Sequence, residues 1–268
     1  YRPTHEAAPV VVVGIDETDA RGFPEPVGLW HRHLGAFLHA VASGRASAVG
    51  VDIALPERSF DSIVPGYDQA LMLGLLEARK SMPTKLALTI DAQGRVREVE
   101  RNFRLIAGDE GLALAVFPHD VDGVVRRFDE RLGENGAVVP TLAGSLARAL
   151  GREPRAGTID FSRGEDYQYL PLRSVLAWSR ANDISRLRAA FEGKPVLLGA
   201  VLPAVDRAAQ PINLAAWEDK GQVPPGVLLN AQALRMLLNH DLVQPVSTMP
   251  DLLLIAVAAC WWFVGLRP

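Results

Sequence analysis

Cysteine is nearly absent: Cys260 is the only one in 268 residues. No disulfide can close within the chain, so its stability must come from a core. An excess of positive charge is also missing. The net charge is −3, and basic residues run no longer than pairs such as Arg126-Arg127. That removes the electrostatic footprint of a nucleic-acid binder. Internal repeats and low-complexity linkers are lacking. So are the GxSxG elbow, the GxGxxG turn, the phosphate-cradling GxxxxGK[ST] loop and the HExxH pair, each of which carries a specific chemistry. The one cysteine lies in an apolar tail, a poor place for a nucleophile. No catalytic residue, cofactor or metal is therefore expected, and the chain is read as a non-enzyme.

What is present is a globular composition, 49% hydrophobic and 22% charged. Apolar runs alternate with helical patterns, as in α/β domains. Residues 10–15 (VVVVGI), 48–53 (AVGVDI), 85–90 (KLALTI), 112–117 (LALAVF) and 195–201 (PVLLGAV) read as buried strands. Trp30, Leu34, Phe37, Leu38 and Val41 share one helix face, and that helix stops near Gly44. Helices are also expected over 67–80, 138–150 and 226–239. Residues 94–104 alternate charged and apolar side chains, which suits an exposed strand or hairpin. The first strand, helix and second strand favour a parallel pair joined by one crossover. The expected fold class is α/β: a mostly parallel central sheet with helices on both faces, followed by the start of a transmembrane helix.

That last element rests on residues 252–266, LLLIAVAACWWFVGL, fifteen residues with no charge and no polar face. A span takes about 20 apolar residues, so this stretch reads as a span cut short; a buried C-terminal helix is the alternative. Pro250 and Asp251 suit a helix start. The domain reading is 1–250 globular and 251–268 the beginning of a membrane helix. The chain opens on Tyr1, and is expected to be part of a longer polypeptide.

Candidate functional residues follow from position. Ligands of open parallel sheets bind at the carboxyl ends of the strands. Asp16 and Asp52 stand at two such ends, where a carboxylate can also simply cap a turn. Asp16, Glu17 and Asp19 form an acidic cluster without the spacing of a calcium loop. Trp30 opens the first long helix, where a core anchor is the plainer role. His31 and His33 lie two apart on a helix and cannot chelate together. The Asp120-Val121-Asp122-Gly123 segment, with Arg126, reads as a tight turn held by a carboxylate–arginine contact.

Taken in order, several segments resemble the CHASE2 family of extracellular sensory domains of bacterial receptors. They are VVVVGIDE at 10–17, Trp30-His31-Arg32, Val49-Gly50-Val51-Asp52-Ile53, and the turn from Asp120 to Arg126. Pro140-Thr141-Leu142-Ala143, Gly193-Lys194-Pro195-Val196-Leu197-Leu198-Gly199, Asp206 with Pro211, and Pro225-Gly226-Val227 through Asn230-Ala231 continue the series. The chain departs from the family pattern at Leu29-Trp30-His31, where a Trp-Pro-Trp run is usual. It departs again at Gln210, where a Thr is usual, and at Gly199-Ala200-Val201, where Gly-Ala-Thr is usual.

The resemblance implies a periplasmic or extracellular sensor anchored in the bacterial inner (cell) membrane, as in two-component and related signal transduction. It would relay a small-molecule or physical stimulus through a C-terminal membrane segment. The cytoplasmic output, a histidine kinase, nucleotide cyclase or Ser/Thr kinase in the family, would lie outside this sequence. The candidate ligand contacts are Asp16, Trp30, Arg32, Asp52, Asp206 and Asn230. A homodimer is expected, the membrane is the other partner, and nucleic acid is not. Two other readings stay open. One is a dimerisation module without a ligand. The other is a membrane-anchored hydrolase using Asp16, Asp52 and Asp206, which would require those carboxylates within hydrogen-bond reach of one reacting group.

Overall fold

The chain's central strands are short and mostly apolar on both faces, the pattern of a parallel sheet covered on both sides. The computed structural model describes residues 9–25, 29–91, 93–244 and 255–261. Its strands are β1 (Val11–Ile15), β2 (Ala48–Asp52), β3 (Thr84–Leu88), β4 (Leu112–Leu114), β5 (Arg127–Phe128), β6 (Gly157–Thr158), β7 (Tyr169–Pro171) and β8 (Pro195–Ala200). Six of them form one sheet in the order β4-β3-β2-β8-β1-β7, with every neighbouring pair parallel. β5 and β6 form a separate antiparallel pair.

The helices are α1 (Glu17–Gly22), α2 (His31–Ser43), α3 (Gln69–Ser81), α4 (Arg101–Ala107), α5 (Leu142–Ala149), α6 (Leu172–Arg180), α7 (Ile184–Phe191) and α8 (Gly226–Asn239). Alternate strand residues feed opposite layers, as a two-residue period requires. Val13, Val51, Leu86 and Leu198 join the core under α2, α3, α4, α6 and α7. Val12, Ala48, Ala87 and Leu197 join the core under α5 and α8. The expected mostly parallel sheet with helices on both faces is what the chain forms.

Three expectations are corrected. β1 and β2 are parallel but not neighbours, because β8 lies between them and pairs with both. β8 is buried from Pro195 through Gly199, and its apolar side chains feed both cores, so the middle of the sheet suits it. Residues 94–104 divide: a hairpin closes where Asp91 N–H bonds Arg95 O and Arg97 N–H bonds Thr89 O. α4 then begins behind Glu100, whose carboxylate accepts the Asn102 and Phe103 amides. Finally, among the described residues no helix is long and apolar enough to cross a membrane. Residues 255–261 are helical and exposed, and the rest of the expected span lies outside the described residues. The start of a transmembrane helix is thus not supported by the structure.

α8 is the most enclosed helix, buried from Gly226 through Leu237. Three polar side chains are buried within it, and buried polar groups need partners. Gln232 Nε2 donates to Asp160 O at 2.7 Å, and its Oε1 accepts from the Tyr167 hydroxyl at 3.1 Å. Arg235 donates to Glu165 O at 3.1 Å and stacks over the Tyr167 ring. These two pin segment 160–167 onto the helix. The third, Asn230, points to the sheet's carboxyl edge.

Candidate functional site

β2 ends on Asp52, in register with Gly199 of β8. A Cβ at Gly199 would stand 2.5 Å from Val227 Cβ, so the missing side chain lets the first turn of α8 press against the sheet. One turn further on, Asn230 Nδ2 donates to Asp52 Oδ2 at 2.9 Å. Asn230 is 3% exposed, and its Oδ1 has no partner. Asp206 reaches the same place from the loop after β8. Its backbone is left-handed (φ 49°), a conformation Asp tolerates better than most residues. Its carbonyl accepts the Gly226 amide at 2.7 Å.

The three side chains line a recess of about 830 Å³, within the range of small-molecule sites. It opens at the carboxyl ends of β1, β2 and β8. Thr89, Phe117 and His119 contribute from the segments after β3 and β4, and Leu202, Val205 and Arg207 from the loop after β8. Arg207 is not free to meet a ligand. Its guanidinium donates to Leu202 O (2.7 and 3.0 Å), Val223 O (2.8 Å) and Glu218 Oε2 (2.8 Å). It thereby shapes the loop that carries Asp206.

The electrostatics follow from this crowding. Burial, then the negative charge of Asp206, push the Asp52 carboxyl up to about 7, against the hydrogen bond from Asn230. Asp206 is exposed at the rim, yet the surrounding protein still raises its carboxyl, with Arg207 opposing. Near neutral pH the Asp52 carboxyl is therefore poised between its neutral and its charged form, and its ionisation is linked to that of Asp206. Among the described residues no three His, Cys, Asp or Glu side chains gather as a metal shell would require.

The other candidates lie elsewhere. Asp16 caps α1 by accepting the Asp19 amide at 2.9 Å, and Arg173 donates to both its oxygens at 2.6 and 2.7 Å. Burial pushes the Asp16 carboxyl up, but Arg173 and the Asp19 amide outweigh it and hold the carboxyl below its ordinary value. Asp16 does not line the recess, so the acidic set imagined for a hydrolase is split, with Asp52 and Asp206 together and Asp16 paired separately. Trp30 is 1% exposed and donates to Glu25 O at 2.8 Å. Arg32 lies at the surface, paired with Glu25. His31 and His33 diverge as expected: His31 Nδ1 lies 2.9 Å from Asp68 Oδ1, while His33 Nε2 lies 3.3 Å from Glu25. The Asp120 turn also forms, with Gly123 at φ 76° and Arg126 bonded to Asp120 and Asp122.

Thr89, His119 and Arg207 were not singled out from the sequence. Their signal was available, since Thr89 and His119 fall at or just beyond the ends of expected strands and Arg207 adjoins Asp206.

Fold and recess together define an open parallel α/β domain with a ligand-sized hollow where such sheets take their ligands. The family model for the CHASE2 domain matches residues 1–267, and the chain belongs to that family of sensory domains found in signal-transduction receptors. Comparison with curated proteins and with solved structures gave no match.

Proposed function

We propose that this chain is the stimulus-binding module of a membrane receptor, not an enzyme, and that the recess beside Asp52, Asp206 and Asn230 is where the stimulus binds. The observation that carries this reading is the convergence of three polar side chains, one with an unpartnered buried oxygen, in a largely apolar hollow at the N-terminal end of α8. That helix runs from the recess to the C-terminal side of the domain. Beyond it, Val243 exchanges backbone hydrogen bonds with Thr158 at 2.8 and 2.9 Å. A shift at the first turn of α8 therefore has a stiff path toward residues 245–268. In a receptor those residues would lead into the membrane, with the domain on the periplasmic or extracellular side.

A ligand can bias such a path only if it binds one arrangement more tightly than the other. A homodimer belongs to the same proposal, because symmetric pairs are the common receptor assembly; sedimentation of the chain tests that part.

The functional test is a chimera joining this chain to a cytoplasmic reporter kinase in the membrane. Ala54 is exposed and lines the recess, so Ala54→Trp fills the hollow without disturbing the core. Ala54→Trp and Asp206→Asn should each lock the output at one level while surface expression is kept. Wild-type regulation in both variants would refute the assignment of the site.

A further inference from the structure

The recess has a definite charge character. Among the described residues that line it, the one permanent cation is Arg207, and it is spent on Leu202 O, Val223 O and Glu218. Its two acids are not matched in this way. Asp52 has a single side-chain donor, Asn230 Nδ2. Asp206 packs its carboxylate against the start of α8, where a Cβ on Gly226 would stand 2.7 Å from Oδ1 and 2.8 Å from Oδ2. The favourable place for an anion at that helix terminus is thus already filled by the protein's own carboxylate. Among the described residues an anionic ligand would meet two acids and no free cation.

A third acceptor is Asn230 Oδ1, buried and without a partner. Two carboxylates and one amide oxygen match the three donors of an ammonium group. Around them the wall is apolar, with Phe117, Val116, Leu202, Val205 and Leu229.

We propose that the recess takes a small organic cation, an ammonium group on a compact apolar body, with its charge held between the carboxylates of Asp52 and Asp206 and its body against the apolar wall. This rests on the reading of the recess as the ligand site. Binding couples to protons. The amine stays charged across neutral pH, while Asp52 ionises there. The other titratable and charged groups lining the recess are Asp206, His119 and Arg207. Ligand affinity should therefore rise with pH, by about tenfold between pH 6 and pH 8.

The test is calorimetric titration of the full chain with 3-methylbutylamine and 2-phenylethylamine, beside 3-methylbutan-1-ol and 4-methylpentanoate. The amines should bind at least about tenfold more tightly than the alcohol and the acid. Asp206→Asn keeps the left-handed backbone tolerable and should weaken amine binding about tenfold or more. Gly226→Ala, which pushes the Asp206 carboxylate aside, should do the same. Neither variant should move the melting temperature by more than a few degrees. Equal binding of the alcohol or the acid, undiminished amine binding in both variants, a flat pH profile, or no binding of either amine would each overturn the proposal. The site itself is judged separately: an alcohol or acid that binds wild type and is blocked by Ala54→Trp would leave the recess a ligand site and refute only its cationic preference.

Discussion

Asp52 couples the strand, the helix and the loop, and its ionisation costs the fold something. Its folded pKa, about 7, lies above the ordinary value of 3.8. Between those values the folded state holds more protons than the unfolded chain, so stability falls as pH rises, and the loss is complete above about pH 7. Asp52→Asn removes this titration and keeps an acceptor for Asn230. One pKa unit corresponds to about 1.4 kcal/mol, so the variant should gain at least that much over wild type at pH 8 and little at pH 4. Denaturant melts at the two pH values check it; an equal difference at both would contradict the shift. The sequence nominates Asp52, Asp206 and Asn230 because they stand near strand ends and helix starts, where sheet ligands are expected, and the structure brings the three to one recess. Asp16 satisfied the same rule and was claimed instead by Arg173, a partner 157 positions away that no local pattern reveals.

At the scale of elements, close approach and loop anchoring decide the architecture. α2 and α3 touch through glycines: a Cβ at Gly74 would stand 2.5 Å from Gly35 O, and one at Gly35 would stand 2.1 Å from Ala70 O. Gly74→Ala must separate the two helices, which costs about 1–3 kcal/mol despite a gain in helix propensity. A melting temperature lowered by several degrees is expected, with Gly22→Ala, which meets nothing within 4 Å, as the unaffected control. The loop after β8 depends on Arg207, whose partner Glu218 is buried with it. Arg207→Ala leaves that carboxylate with only the Asn213 Nδ2 hydrogen bond, at 3.3 Å, and should cost about 3 kcal/mol; a loss below about 1 kcal/mol would show that the loop holds without it. α2, α3, α5 and α8 were visible as apolar stripes. α6 and α7 were not: each spans at most nine residues and carries two arginines, so its stripe is narrow. The position of β8 was hidden for another reason, since pairing order is set by which strand is apolar on both faces in three dimensions.

For the whole molecule, the sheet and its two cores make a rigid frame, and the segments beyond the strands' carboxyl ends make the recess. The chain belongs to the CHASE2 family, sensory domains found in signal-transduction receptors. The class of fold could be read from alternating apolar and amphipathic segments, whereas the recess could not, because its walls come from loops whose course depends on anchors such as Arg207 and Asn213. Asn213 illustrates this, donating to Asp219 O and Gln222 O at 3.2 Å each while accepting the Ala215 amide at 2.8 Å. The central claim is that the recess binds the stimulus. Its most direct test is a thermal-shift screen of wild type and Ala54→Trp against small metabolites of every charge type. A ligand at 100 times its dissociation constant adds about 2.7 kcal/mol to the folded state, a shift of several degrees. The account expects compounds that stabilise wild type and have no effect on Ala54→Trp. Compounds that stabilise both equally, or a library that leaves wild type unmoved, would contradict it.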